Sequence, residues 1–439
     1  MKAIMTADMN DRPRSTSPES APAWYEAGLD RIWLPYAQMK TMRPPLAAAR
    51  TEGCRIILAD GRELIDGIAS WWTACHGYNH PYIRASVERQ LAAMPHVMFG
   101  GIVHEQALTL AQRLANLLPG DLERVFFSES GSVAVEIAMK MAVQYWRNRG
   151  MRTRSKFIAF KGGYHGDTTG AMALCDPEAG MHVMFSGLLP EQHIFDLPRN
   201  EESATALEKF LQRHADDIAG IVIEPLVQGA GGMHFHHVDT LQRLRKIAER
   251  YELLLIFDEI FTGFGRTGTM FACEQAGVTP DIVTLSKALT AGTLPLAATV
   301  ARRKVFEAFW SDDPKYALMH GPTYMGNALA CAAANASLDL FEQEPRLQQA
   351  RAISEQMARE LSPCRDLPHV KDVRVQGAIG VVELNRISNL ENLRARFVEE
   401  GVFIRPFGNV VYLTPAFTIE SNELTQLTNA IVRILGNEH

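Results

Sequence analysis

The sequence predicts an α/β fold built on a mostly parallel sheet, with a second, smaller α+β unit attached. Three observations predict it. Between about residues 85 and 300, short aliphatic runs alternate with amphipathic stretches, the pattern of strands joined by helical crossovers. Two of those runs, Leu253 to Phe257 and Ile282 to Leu285, lead into a carboxylate, Asp258, and an amine, Lys287. Near both chain ends the strand-like pieces are shorter and broken by turns, so the two ends are expected to build the smaller unit together.

Taken in order, residues 1–22 are rich in Pro, Ser, Asp and Arg without periodicity and are expected to form a lead-in lacking fixed structure. Residues 23–68 are assigned to the small domain, where Cys54-Arg-Ile-Ile-Leu-Ala followed by Asp60-Gly61 signals a hairpin. Residues 69–343 form the expected large domain, with strands at Arg124–Phe127, Lys156–Phe160, Gly220–Glu224, Leu253–Phe257 and Ile282–Leu285. The alanine-rich stretch Ala328–Glu342, followed by Pro345, predicts a helix at the domain junction. Residues 344–439 return to the small domain, with a helix over Arg346–Glu360, strands around Val370–Val375, Gly380–Leu384 and Val410–Leu413, and a last helix from Ser421.

Composition narrows the function. The 439 residues are 47% hydrophobic and 21% charged, with a formal charge of −6, which gives no basic excess for a nucleic acid. No apolar run approaches the roughly 18 residues that span a bilayer, and Met1 to Asn10 is too polar for a secretory segment, so a cytosolic chain is expected. Six scattered cysteines without a Cys-x-x-Cys pair predict reduced thiols. His234, His236 and His237 lack a carboxylate or cysteine in a metal-ligand spacing, so no metal site is expected.

The chemistry concentrates where the aliphatic runs end. A lysine desolvated at the carboxyl edge of a parallel sheet loses proton affinity from its usual value of about 10.4, and the neutral amine can join an aldehyde. An aspartate one strand away can keep a pyridinium nitrogen protonated, so Lys287 and Asp258 together propose pyridoxal phosphate. Ser128-Glu-Ser-Gly-Ser-Val directly follows a strand and opens a helix, which suits a phosphate bound by main-chain N–H groups, although simple serine capping is the plain alternative. Gly162-Gly-Tyr-His-Gly-Asp places Tyr164 and His165 at the same edge, where an aromatic ring can stack on a planar ligand. Glu224 and Gln228 could complete a polar network there, and Gly263, Gly265 and Gly268 imply a tight path that could hold Arg266 near the pocket. Gly321-Pro-Thr offers a turn hydroxyl at Thr323. A magnesium-dependent nucleotide hydrolase using Asp258 and Glu259 would need a phosphate-loop lysine that is absent here.

Ser130-Gly-Ser, Tyr164-His-Gly-Asp, Asp258-Glu with Thr262-Gly-Phe-Gly-Arg, Ser286-Lys-Ala-Leu-Thr and Gly321-Pro-Thr together resemble the class III aminotransferases, from about residue 30 onward. The resemblance implies the fold type I architecture, with a seven-stranded, mostly parallel sheet, and a homodimer with active sites at the subunit interface. It implies that Lys287 joins the cofactor aldehyde, Asp258 pairs with the pyridine nitrogen, Tyr164 stacks on the ring, and Gly131 with Ser132 binds the phosphate. Gly321 and Thr323 would reach the phosphate of the cofactor held mainly by the other subunit.

Trp33-Leu-Pro-Tyr, Trp71-Trp-Thr-Ala-Cys-His-Gly-Tyr-Asn-His-Pro and Ile404-Arg-Pro-Phe-Gly-Asn-Val-Val-Tyr-Leu resemble the branch of that class that aminates 8-amino-7-oxononanoate to 7,8-diaminononanoate with S-adenosylmethionine, in biotin biosynthesis. That likeness implies a pocket walled by Tyr36, Trp71, Tyr164 and Tyr412, with Gly321 at its edge. Arg405 would hold the distal carboxylate, and Arg266 would lie near the donor. Leu34 stands where the pattern has histidine, and Ala291 where it often has glycine. An ω-amino acid:pyruvate or diamine transaminase, and a non-catalytic binding protein on the same fold, are the competing expectations.

Overall fold

Buried aliphatic strands organise the chain around one seven-stranded sheet. The computed structural model describes residues 22–177, 182–185 and 187–437, so the expected lead-in lies, apart from Pro22, outside the described residues. The strands are β4 (Leu122–Ser128), β5 (Lys156–Phe160), β6 (His193–Phe195), β7 (Ile218–Ile223), β10 (Leu254–Asp258), β11 (Ile282–Leu285) and β12 (Ala297–Arg302), in the order β4-β12-β11-β10-β7-β5-β6. Only β12 runs against its neighbours, and the remaining pairs are parallel. The expected mostly parallel sheet is therefore present, with β6 and β12 as strands that the sequence did not reveal.

Continuous burial along β7, β10 and β11 follows from helices on both faces. Within β10, Leu255 and Phe257 join one apolar cluster with Leu241 and Leu244 of the helix Val238–Arg250. Leu254 and Ile256 join the other, with Ile137, Met141 and Tyr145 of the helix Gly131–Asn148. This is the two-residue alternation of a strand, and each such side chain contributes about 1.5–3 kcal/mol when buried.

The chain ends meet as expected. β1 (Ala48–Glu52), β2 (Arg55–Leu58) and β3 (Glu63–Asp66) form an antiparallel meander, with Gly61 taking φ +87° in the β2–β3 turn. β15 (Val402–Phe403), from the far end of the sequence, adds parallel to β3 and pairs Phe403 with Asp66. The short hairpin of β8 (Val227–Gln228) and β9 (His234–Phe235) lies in between along the chain. β13 (Val370–Gln376), β14 (Ile379–Leu384) and β16 (Val410–Leu413) form a further antiparallel sheet, followed by the helix Ser421–Gly436. Among the described residues, no helix is long and apolar enough to cross a membrane.

The sheet positions the chemistry through its direction. Ser128, Phe160, Ile223, Asp258 and Leu285 all end strands of the same sense, so the segments after them share one edge. β10 and β11 are neighbours in register, with Asp258 opposite Thr284, three residues before Lys287.

Candidate active site

Lys287 stands at that edge in a strained and apolar setting. Its backbone adopts φ +50°, a left-handed conformation that costs a non-glycine residue energy and commonly marks functional positions. Its amine lies 4.1 Å from the centre of the Trp72 ring and 5.8 Å from that of Phe261, and the two rings pack 4.2 Å apart. Burial drives the ammonium down to about 8, against the opposing pull of the Asp258 and Glu224 carboxylates. The half-buried lysine therefore supplies a neutral amine near neutral pH more readily than a fully solvated one. Ala291, at the end of the short turn that Lys287 begins, has φ +51°, which gives the physical reason for glycine in the family pattern at this position.

Asp258 is 4% exposed and is held from three directions. His165 Nδ1 lies 2.7 Å from Oδ2, while the Thr284 hydroxyl and the Ile260 N–H each donate to Oδ1 at 3.2 Å. Burial alone would lower the His165 pKa, but the Asp258 carboxylate outweighs it and the net direction is upward. Glu224, at the end of β7, accepts from the Tyr164 and Gly229 N–H groups at 3.0 and 2.8 Å. Burial pushes its carboxyl up to about 7, with His165 acting in the opposite sense. Gln228 donates to the Lys161 carbonyl, and His236 lies 2.9 Å from the Glu224 carbonyl, so both brace the loops around the acids.

A cradle for an anion opens beside them. Ser130 caps the helix Gly131–Asn148 by accepting from the Val133 N–H, and its carbonyl takes the Ala134 N–H. Among the described residues the Gly131 and Ser132 amides are left without acceptors at a helix N-terminus, where the helix dipole favours negative charge. The Ser132 hydroxyl lies 2.7 Å from the Thr168 hydroxyl and accepts from the Thr168 N–H. A Cβ on Gly166, which has φ +130°, would fall 2.2 Å from Ser132 Oγ, and one on Gly131 would fall 2.9 Å from Ile260. Only glycines let these three loops converge.

Aromatic and charged groups surround the mouth. The Tyr164 hydroxyl donates to Asp167 at 2.9 Å and lies 3.3 Å from that of Tyr36, which also donates to Asp167. His182 lies 3.0 Å from the same carboxylate and stacks on the Tyr164 ring. Trp71 packs edge-on against Tyr36, with the Arg405 guanidinium 5.6 Å from its ring centre. Among the described residues no carboxylate pairs with Arg405. Tyr412 is buried and packs edge-on against Trp72.

Arg266 sits deeper than the sequence suggested. It is 1% exposed, Nη1 donates to the Ala378 and Pro415 carbonyls, and Nη2 has no acceptor among the described residues. Gly321 and Thr323 are exposed on the loop before the helix Ala328–Gln343, and no hydrogen bond among the described residues ties them to the lysine site of their own chain. Trp72, Phe261, Asp167 and His182 are members of the site that the sequence did not single out as site residues.

Four successive non-glycine residues, Ala69, Ser70, Trp71 and Trp72, have φ of +46°, +48°, +54° and +75°, a left-handed turn closed by the Trp72 N–H on the Ile68 carbonyl. At about 1–2 kcal/mol each, that strain amounts to on the order of 4–8 kcal/mol. It brings Trp72 to the lysine and Trp71 beneath Arg405.

The family model for aminotransferase class-III matches residues 36–435, nearly the whole of the described chain. The chain belongs to the class III aminotransferases. It is 42% identical over 414 residues to the adenosylmethionine-8-amino-7-oxononanoate aminotransferase of Buchnera aphidicola subsp. Schizaphis graminum, covering 93% of this chain and 95% of the relative. Among solved structures it resembles the adenosylmethionine-8-amino-7-oxononanoate aminotransferase of Methanocaldococcus jannaschii, with a TM-score of 0.88 and 32% identity over 94% of this chain and 98% of that one. It also resembles an amine transaminase from an uncultivated Pseudomonas species in its pyridoxal-phosphate-bound form, with a TM-score of 0.85 and 32% identity over 92% and 98%.

The class III aminotransferase is thus a pyridoxal-phosphate-dependent enzyme, and its residues fit that cofactor. The half-buried amine of Lys287 has no hydrogen-bond acceptor among the described residues, Asp258 keeps a carboxyl group one strand away, and the glycine-lined helix N-terminus offers free amides to a phosphate.

Proposed function

We propose that the enzyme transfers an amino group from S-adenosylmethionine to 8-amino-7-oxononanoate, giving 7,8-diaminononanoate, the transamination of biotin biosynthesis. One observation carries the substrate choice beyond the class. A half-buried guanidinium, Arg405, lies against the Trp71 ring without a carboxylate partner among the described residues. A long keto-acid supplies the missing partner, since a guanidinium binds a carboxylate through two parallel hydrogen bonds. The names of the relatives support the same substrates.

Pyridoxal phosphate, when bound, supplies the aldehyde that takes up the amino group and the ring that accepts electrons. The Lys287 amine, kept close to neutral by burial, removes the α-proton of the donor and returns a proton on the acceptor side. Asp258, fixed by His165, Thr284 and Ile260, holds the proton on the pyridine nitrogen. Gly131 and Ser132 bind the phosphate with main-chain N–H groups at the helix N-terminus. Tyr164, anchored through its main chain to Glu224 and through its hydroxyl to Asp167, orients the ring. Tyr36, Trp71 and Tyr412 with Trp72 form the aromatic surround, which attracts the donor sulfonium. Arg266 contributes through its unpaired Nη2 to the donor side.

The assembly is a homodimer in this proposal, with Gly321 and Thr323 completing the partner's phosphate site. Their exposure in the single chain supports it, together with the large apolar side chains Trp310, Met319 and Tyr324 exposed along the same stretch. Incubating the enzyme with the keto-acid and each donor in turn, and following diamine formation by mass, tests the assignment. Diamine formed with S-adenosylmethionine is the expected result. Activity with alanine or a diamine but none with S-adenosylmethionine would assign the enzyme to the ω-transaminases instead.

A further inference from the structure

The left-handed turn Ala69–Trp72 contains no glycine, so something outside it must hold its shape. The group best placed to do so is the carboxylate of Asp66, the last residue of β3 and 2% exposed. Its Oδ1 accepts from the Ile68 N–H at 2.8 Å. Its Oδ2 accepts from the Ser70 N–H at 2.9 Å and from the Tyr78 hydroxyl at 2.6 Å, and that hydroxyl also meets the Ser70 hydroxyl. Every bond is of the kind an ionised carboxylate accepts, and two of them clamp amides at the start of the turn. The turn is also boxed in. Gly67 leaves no room for a Cβ, which would lie 2.8 Å from Leu413, and the Thr414 hydroxyl bonds the Ile68 carbonyl.

Asp66 also stands where both sides of the pocket originate. It pairs with Phe403 across β3 and β15, and Arg405 follows two residues later. The turn that Asp66 clamps delivers Trp72 to the Lys287 amine and Trp71 to the Arg405 guanidinium. We propose that Asp66 is a positioning residue for transamination, whose buried carboxylate locks the left-handed turn and so sets both the apolar cover of Lys287 and the seat of Arg405. The proposal rests on Lys287 being the amine that joins the cofactor and on Arg405 receiving the distal carboxylate of the keto-acid.

The test compares Asp66→Asn and Tyr78→Phe with wild type and with Asp281→Asn, a buried carboxylate at the start of β11, on the opposite edge of the sheet. Three properties of the holoenzymes are measured: the midpoint in pH of the bound cofactor's visible absorbance, KM and kcat for the keto-acid, and Tm. Asparagine keeps the size of aspartate but turns a donor towards the Ser70 N–H, and Tyr78→Phe removes one bond to Oδ2 while leaving the fold's apolar contacts. Asp66→Asn is expected to move the absorbance midpoint by about half a pH unit or more. It is also expected to raise KM for the keto-acid about tenfold or more. Tyr78→Phe moves both in the same direction by less, and decides the matter alone if the Asn variant does not fold. Asp281→Asn is expected to lower Tm without moving the midpoint.

If the Asp66 and Tyr78 variants lose Tm but keep the wild-type midpoint and a KM within about twofold, Asp66 is merely structural and the proposal is overturned. A wild-type holoenzyme in which borohydride reduction leaves Lys287 without the cofactor would instead overturn the assignment of Lys287, and the proposal with it.

Discussion

Replacing Lys287 with methionine should make the cofactor-free chain more stable near neutral pH. Methionine is one atom shorter but keeps an unbranched, apolar stem facing the Trp72 and Phe261 rings that the Lys287 amine lies against, while removing the charge. Burial takes the amine from 10.5 to about 8. A fall of about 2.5 pH units, at about 1.36 kcal/mol each, means that charging the lysine costs the fold up to about 3 kcal/mol. That net fall already includes the attraction of the ammonium to Asp258 and Glu224; the less than perfect packing of methionine takes back part of it, so the expected gain for Lys287→Met at pH 7 is about 1–3 kcal/mol. The sign follows from proton counts. Between about pH 8 and 10.5 the unfolded chain binds more protons at this site than the folded one, so wild-type stability rises with pH through that window and is reduced below it. The advantage of the variant should therefore be full below pH 8 and fade towards pH 10.5. Urea unfolding of both cofactor-free proteins across that range measures it. A variant no more stable than wild type at pH 7, or an advantage that does not change with pH, would refute a desolvated, destabilised amine.

Other perturbations separate the parts of the site. Asp258→Asn is expected to lower kcat about a hundredfold or more, read by stopped-flow absorbance with donor alone, because the pyridine nitrogen loses its carboxylate partner. Gly166→Ala drives a methyl to 2.2 Å from Ser132 Oγ at φ +130°. A cost of about 2 kcal/mol should weaken cofactor binding roughly thirtyfold in equilibrium dialysis. Gly28→Ala, with nothing within 4 Å, should leave binding unchanged. Arg405→Met is expected to raise KM for the keto-acid between about tenfold and a hundredfold, the loss of a charge-assisted pair, while the rate with S-adenosylmethionine alone stays at its wild-type value.

Some of this architecture was open to inspection in the residues. Long aliphatic runs ending at Asp258 and before Lys287 can hardly be anything but neighbouring buried strands, and the register of β10 on β11 places them so. β12 escaped because Leu296-Ala-Ala-Thr-Val-Ala has both faces buried and therefore no alternation, and its alanines favour a helix as readily as a strand. β6 is too short, at three residues, for a periodic signal. The pair Trp71-Trp72 was visible, but which indole faces the lysine depends on a left-handed turn that Ala-Ser-Trp-Trp does nothing to announce, since no glycine or asparagine marks it. Arg266 looked like a pocket residue from its glycine-rich surroundings, yet the tight path turns Nη1 onto main-chain carbonyls. In the proposed homodimer the loop with Gly321 and Thr323 would serve the other subunit, a role that one chain's periodicity cannot show.

The central claim is that the amine of Lys287 is the group joined to pyridoxal phosphate. Borohydride reduction of the holoenzyme, followed by proteolysis and mass mapping, tests it directly. A phosphopyridoxyl group on the peptide containing Ser286-Lys287-Ala288 is the expected result, whereas an unlabelled Lys287 or a label on another lysine would contradict it.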